Sequence, residues 1–320
     1  MKPALDLVLE DTDKGAEVWR GQMPPHTVER FIAATHLAGV VAGVLPNDGA
    51  PVRLDRFDIE ADEDGGRLAV EVGAGGSIFK KSFPPARAVR DDAEVIVARL
   101  LATKELAAGT YRYRCRPAAA PAATGGALRV APLPRRLPPL ARRSLWDCGL
   151  TALPGCRHAT IVLPRGCAGV LVAQARARAD VEVGALLIVE PFLATDGPPC
   201  RLGVLVADAV PLAHGTTGTE TKLRITPEAL AAVPVDETKG RGRSLAHSHP
   251  FGDKATPHFL SIDDKAVATA WFWQPFSIQL VIDPRFTAPE HALAAYSWND
   301  GALERVCLQL VDHNPTKEKR

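Results

Sequence analysis

The segment Ala246-His247-Ser248-His249-Pro250-Phe251 carries two histidines one residue apart. In a strand, residues i and i+2 point to the same face, roughly 7 Å apart. His247 and His249 can therefore converge on one ion while Ser248 faces away. Pro250 then ends the ladder, because it has no N–H to donate. Two histidines alone are weak evidence of a metal and read first as an ordinary pair of partly exposed side chains, so the neighbouring polar residues decide the matter.

Downstream stands Ser261-Ile262-Asp263-Asp264. Ser-x-x-Asp before an apolar run is a helix capping box, with Ser261 as N-cap and Asp264 at the third helical position. A helix start also places first-turn side chains near the end of a preceding strand, where ligand sites of α/β sheets lie. Asp264 can thus complete a set of two imidazoles and one carboxylate. Three protein ligands leave a fourth position open, the arrangement of catalytic rather than structural zinc. Such a site needs a base. Glu182 is the one acid in the apolar run VEVGALLIV at 181–189, and Gly184 beside it leaves room for close backbone approach.

Taken in order, EVGALL at 182–187, HSHP at 247–250 and SIDD at 261–264 resemble the JAMM metalloproteases, the catalytically active branch of the MPN domain family. The resemblance covers roughly residues 155–313, about half the chain. It implies one zinc ion per chain held by His247, His249 and Asp264, with water in the fourth position. Glu182 would take a proton from that water and pass it to the leaving amine, and Ser261 would donate a hydrogen bond to the oxyanion. The implied activity is hydrolysis of a peptide or isopeptide bond to a ubiquitin-like modifier. The implied partners are the modifier, its conjugates and proteins of the conjugation pathway. The Ala-, Arg- and Pro-rich composition suits a bacterium with a GC-rich genome, and bacterial relatives accompany ubiquitin-like systems, including antiviral ones.

The chain departs from the family pattern in places. The spacer FGDKATPHFL between Pro250 and Ser261 is longer than usual and brings in Asp253 and His258 as rival ligands, lid groups or plain loop residues. Ala185 replaces a customary Gly. Between base and ligands, residues 211–243 form an excursion whose TKLRI could offer a strand edge to an extended tail. Two other classes remain. A non-catalytic MPN scaffold would usually have lost one of these residues. A mononuclear iron oxygenase also uses two histidines and a carboxylate, but typically on an all-β barrel.

The elements that must position these groups read as follows. The 320 residues are 46% apolar and 23% charged, enough for about two domains. With 38 Lys and Arg against 37 Asp and Glu, there is no general electrostatic case for nucleic acid or an anionic membrane. No apolar run approaches a membrane span, and the acidic start MKPALDLVLEDTDKG is no signal peptide, which predicts a cytoplasmic protein. The six cysteines form no CxxC pair and read as free thiols. Residues 1–116 read as a small α+β recognition or docking domain. Thr27 caps a first helix, a hairpin carries Phe57 and Ile59 against Leu68 and Val70, and Asp91 or Asp92 starts a second helix. Gly73-Ala74-Gly75-Gly76 lacks what a phosphate loop needs and reads as a turn. Residues 117–150 read as a Pro/Ala/Arg-rich linker and 316–320 as a disordered tail. Residues 151–315 alternate strands with helices. The expected fold class is therefore α/β: a JAMM/MPN-type, cytidine-deaminase-like sheet flanked by helices, preceded by the α+β domain.

Overall fold

The structure is a computed structural model that describes residues 5–60, 66–117, 135–136, 139–144, 146–150, 159–196, 201–212, 216–219, 222–236, 240–250 and 258–312. The chain divides into two compact units, Met1–Leu137 with Asp300–Ala302, and Pro138–Asn299 with Leu303–Arg320. Asp253, the tail 316–320 and most of the segment 117–150 lie outside the described residues.

In the first unit, β1 (Leu5–Asp11) is flanked by β2 (Ala16–Gln22) and β6 (Tyr111–Pro117) in one antiparallel sheet. A second sheet joins β3 (Pro51–Glu60), β4 (Arg67–Ala74), β5 (Ser77–Phe83) and the two-residue β7 (Arg135–Arg136). The glycine run lies at the β4–β5 hairpin, where Gly75 and Gly76 both take positive φ, 56° and 84°, as a tight primed turn requires. Helix α1 (Pro25–Val41) buries Val28, Phe31 and Ile32. It is followed by the single turn α2 (Pro85–Ala88) and by α3 (Arg90–Ala102). The expected caps are not caps. Pro24 precedes α1 without a side-chain bond, and Thr27 sits inside the helix with its hydroxyl donating to Asp92 Oδ1 at 2.9 Å. Asp91 and Asp92 lie in the first turn of α3, and Asp92 also accepts from Arg30. All four of these polar residues are buried.

The second unit departs from the expected flanked sheet. Its strands are β8 (Ala141–Arg143), β9 (Thr160–Pro164), β10 (Gly184–Ala194), β11 (Arg201–Pro211), β12 (Thr216–Gly218), β13 (Leu223–Ile225), β14 (Gly242–Ser248), β15 (Ile278–Ile282), β16 (Leu293–Asn299) and β17 (Ala302–Val311). Hydrogen bonding runs β11-β9-β17-β16-β15-β14-β10, and β10 pairs with β11 to close a seven-stranded barrel. The MPN/JAMM-type α/β sheet is thus corrected to a closed, mostly β architecture. The physical reason is the long antiparallel pairing of β10 with β11, from Ala185↔Pro211 to Ala194↔Arg201. β11 in turn pairs in parallel with β9, which joins it to the rest of the ring. β8 adds in parallel at the end of β10, so Ala141–Arg143 is strand rather than linker.

The helices here are α4 (Arg165–Ala177), α5 (Pro227–Ala231), α6 (Ile262–Trp271) and α7 (Pro289–Ala292). Helix α4 buries Ala168, Leu171, Val172 and Ala175, the i, i+3, i+4, i+7 stripe of one helix face. The stripe packs in one core with Ile161 and Leu163 of β9, Leu187 and Val189 of β10, Val206 of β11 and Leu280 of β15. One helix thus serves several strands, while the alternate residues Leu186 of β10 and Leu245 of β14 pack in a second cluster with Ala229 and Leu230 of α5 and Phe272 just after α6. Val170 lies off this stripe and is 54% exposed. The β16–β17 turn has Asp300 and Gly301 both at positive φ, 48° and 89°, as the Asn-Asp-Gly sequence predicts. Cys115, Cys148 and Cys167 are free, whereas Cys307 is disulfide-bonded, which corrects the reading of all cysteines as thiols. Among the described residues, no helix is long and apolar enough to cross a membrane.

Candidate metal centre

Strand β14 carries His247 and ends one residue before His249, and the neighbouring strands fix the direction of both. It pairs in parallel with β15, with His247 opposite Val281, and antiparallel with β10, with Gly184 opposite His247. The His249 N–H continues the ladder to the Ile282 carbonyl at 2.9 Å. Both imidazoles therefore leave the strand on one side, with ring centroids 4.9 Å apart. Their Nε2 atoms are 3.1 Å apart. Phe259 packs against His249 at 5.0 Å between centroids, and both histidines are buried.

Asp264 closes the triangle from the start of α6. Its Oδ1 is 3.0 Å from His247 Nε2 and its Oδ2 is 3.3 Å from His249 Nε2. The same carboxylate completes the capping box: Asp264 Oδ2 accepts from the Ser261 N–H at 2.7 Å, and Ser261 Oγ accepts from the Asp264 N–H at 3.2 Å. The helix cap and the ligand set are one piece of structure. Burial alone would raise the Asp264 carboxyl, yet the two imidazoles beside it hold it well below the usual range. Burial likewise opposes the His247 imidazolium, and Asp264 nevertheless holds that pKa above its ordinary value.

These three residues fit a metal ion. Ligand atoms about 2.0–2.1 Å from a tetrahedral ion stand about 3.3 Å from one another; here the two Nε2 atoms are 3.1 Å apart, one Asp264 oxygen is 3.0 Å from His247 Nε2 and the other is 3.3 Å from His249 Nε2. Among the described residues this is the one group of three or more such side chains brought within ligating distance. The donor set of two imidazoles and a carboxylate suits zinc, and also iron. Among the described residues His247 Nδ1 has no hydrogen-bond partner, so the outer-shell acceptor that metal-bound histidines usually have is missing there.

Glu182 lies two residues before β10 rather than in it, and only 4% of it is exposed. Burial pushes its carboxyl up to about 7, while His247 nearby pulls the other way. It lines, with His247, Ser261 and Asp264, a cavity of about 20 Å³. That is room for about one water. Lys222 and Leu223 of the β12–β13 hairpin border the same cavity. Glu182, Ser261, His247 and Asp264 thus line one cavity, and His249 adjoins it through the His247–His249–Asp264 cluster. His258 is not among them: its Nε2 is 3.0 Å from the Ala292 carbonyl, outside the ligand group.

Sequence reading missed two contributors. Ser248 faces away from the ligands as foreseen, but its buried Oγ accepts the Val183 N–H at 3.0 Å, and its own N–H donates to the Val183 carbonyl at 2.9 Å. It therefore ties the chain beside Glu182 to the chain between the histidines. Lys222 Nζ pairs with Asp263 Oδ2 at 2.9 Å, at the first turn of α6. The strict i+1 placement of Ser248 and Asp263 was the available signal, and it carries no information about partners 65 or 41 residues away.

No protein-family model and no curated protein matches the chain. Among solved structures, the solution structure of protein DSY2949 from Desulfitobacterium hafniense is similar at 21% identity and a TM-score of 0.35. The match covers 50% of this chain and 99% of that one. A likeness at that level carries no argument.

Proposed function

We propose that the protein is a zinc-dependent peptidase or isopeptidase that removes or processes a ubiquitin-like modifier, acting in the cytoplasm of a bacterium with such a conjugation system. The observation that carries this reading is the convergence of Glu182, His247, Ser261 and Asp264 on one small cavity, with His249 clustered against His247 and Asp264. These residues are also the three motif segments whose order resembles the JAMM proteases. The fold carries no part of the reading, and the disulfide at Cys307 is the feature least expected in a reducing compartment.

When bound by His247, His249 and Asp264, zinc supplies a Lewis acid and lowers the pKa of the water it holds to about 7. Glu182 accepts one proton of the attacking water and passes it to the leaving nitrogen, as the carbonyl carbon gains an oxygen and loses the amine. The Ser261 oxygen already accepts the Asp264 N–H, which leaves the hydroxyl proton free to donate to the oxyanion. Strand β13 borders the cavity, and an extended modifier tail can add to such an edge through main-chain hydrogen bonds. The unit containing residues 5–117 then serves recognition of the modifier, its target or a pathway partner.

The barrel gives the iron alternative one supporting observation, since oxygenase sites of this ligand type favour all-β barrels. Against it, a buried acid, Glu182, lines the site where a hydrolase needs its base. A non-catalytic scaffold would not need a buried acid beside a complete ligand set. The test is metal analysis of the purified protein, then cleavage of a modifier fused to a reporter before and after chelation. Zinc, and cleavage restored by zinc alone, are expected. Iron in place of zinc, or cleavage indifferent to chelation, overturns the reading.

A further inference from the structure

Gln279 lies in β15 with only 1% of it exposed. Neither its amide oxygen nor its amide nitrogen has a hydrogen-bond partner among the described residues. Burying an amide in that state is unfavourable, so such a group calls for a reason. Other buried polar side chains on and beside these strands are satisfied. Ser244 Oγ accepts the Ile278 N–H at 2.9 Å, Ser248 Oγ accepts the Val183 N–H at 3.0 Å, and Ser297 Oγ donates to the Ser277 carbonyl at 3.2 Å. The residues level with Gln279 leave its amide alone. Leu245 on one side is apolar, and Tyr296 on the other gives its hydroxyl to the His258 carbonyl at 2.7 Å.

Strand register places this amide near the ligands. Along the parallel β14–β15 ladder, Leu245 pairs with Gln279 and His247 with Val281. Paired residues face the same side of a sheet, and so do residues two apart on one strand. Ala246, Ile278, Leu280 and Ile282 turn to the core that α4 covers, whereas Leu245 packs in the second cluster. Gln279 and His247 therefore share the face opposite α4, as diagonal neighbours. With strands about 4.8 Å apart and a rise of about 3.3 Å per residue, diagonal Cα atoms stand roughly 8 Å from each other. Two long side chains and one water span that gap. His247 Nδ1 is likewise buried and without a hydrogen-bond partner among the described residues.

We propose that Gln279 is a positioning residue for the metal: through one buried water its amide oxygen takes the Nδ1 proton of His247 and so fixes that ring with Nε2 toward the ion. The proposal rests on the metal-binding part of the reading above and on none of its hydrolytic steps. When Nε2 is the ligand atom, Nδ1 is the nitrogen that carries the ring proton, and it acts as a donor. Ligating histidines give that proton to a carboxylate, a carbonyl or a water, which sets the tautomer and the ring orientation. A buried water needs two to four polar partners, and the imidazole and the amide supply them. The buried donor and the buried acceptor are thereby satisfied together.

Zinc affinity of the full-length protein, measured by competition against a chromophoric chelator, tests this without any substrate. Gln279→Leu nearly keeps the volume and removes the amide. It should bind zinc roughly 10–100-fold more weakly than wild type. The metal-free variant should unfold at a denaturant concentration no lower than wild type, because an apolar group replaces a buried unsatisfied amide. That pairing separates the two roles: a merely structural glutamine would lose stability and leave zinc affinity alone. Gln279→Glu keeps an acceptor and should hold zinc within about threefold of wild type. If Gln279→Leu does not fold, Gln279→Met takes its place in the same comparison. An affinity of the apolar variant within about threefold of wild type overturns the proposal, and so does an equal loss in the apolar and glutamate variants. A wild type that binds no zinc overturns the metal reading and this proposal together. A wild type that binds zinc but cleaves nothing overturns the hydrolase reading only, and the affinity comparison still decides the role of Gln279.

Discussion

His247 Nε2 and His249 Nε2 stand 3.1 Å apart in a buried setting. Two imidazolium rings at that distance would repel strongly, and two neutral rings can share only one proton between them. A single divalent ion between these atoms and Asp264 removes both difficulties. One zinc per chain is therefore expected. His249→Ala should lower zinc affinity by more than the roughly 10–100-fold typical of outer-shell changes. Competition against a chromophoric chelator measures this, and an affinity within about tenfold of wild type would show that His249 is no ligand.

The pH dependence of turnover should carry the signature of Glu182. Burial pushes this carboxyl up to about 7 against the pull of His247. The base acts only when deprotonated, so kcat/KM falls as the pH drops through its pKa. A dication bound beside it favours the carboxylate form. The acid limb of the zinc-loaded enzyme should thus lie below about 7. A pH–rate profile with no acid limb would remove Glu182 from the base role.

Ser261 has two tasks that one substitution should separate. Ser261→Ala removes the N-cap of α6, which costs about 1 kcal/mol of stability. It also removes the proposed oxyanion donor, worth roughly 10²–10³ in kcat. Asp264 keeps its bond to the Ser261 main-chain N–H, so zinc should still bind. Urea unfolding, zinc titration and kcat on the same preparation check all three, and a kcat within threefold of wild type would leave Ser261 as a cap only.

The site was more legible in the sequence than the fold. His247 with His249, and Ser261 with Asp264, are short-range patterns whose geometry follows from one strand and one helix turn. Glu182 was legible only through the order of three motif segments, because nothing local distinguishes it from a solvent-facing acid at a strand end. That strands and helices both occur along the second half was legible too. What local pattern could not express was their pairing. Buried runs such as GALLIV in β10 and VLVA in β11 read the same in a flanked sheet and in a closed barrel. The difference lies in the β10–β11 and β11–β9 registers and in α4 packing against several strands at once, all of which are non-local. The caps of the first unit misled for a related reason: Thr27, Asp91 and Asp92 have the right residue types but are buried, two of them bonded to each other.

That burial makes a stability prediction for the first unit. Asp92 accepts from both Thr27 and Arg30, and neither Arg30 nor Asp92 is accessible to solvent beyond 1% of its side chain. Asp92→Ala leaves a guanidinium buried without that carboxylate, which costs about 3–5 kcal/mol. Replacing an exposed partner, as in Lys80→Ala opposite Glu60, should cost under about 1 kcal/mol. Chemical denaturation of the two variants compares them, and similar midpoints would refute the distinction.

The most direct test of the central claim pairs wild type with Glu182→Gln, each assayed for bound zinc and for cleavage of a ubiquitin-like modifier fused to a reporter. Equal zinc in both, with cleavage by the variant lower by at least roughly 10²-fold, is the predicted result. Equal cleavage by the two proteins, or a wild type that holds no zinc, would contradict it.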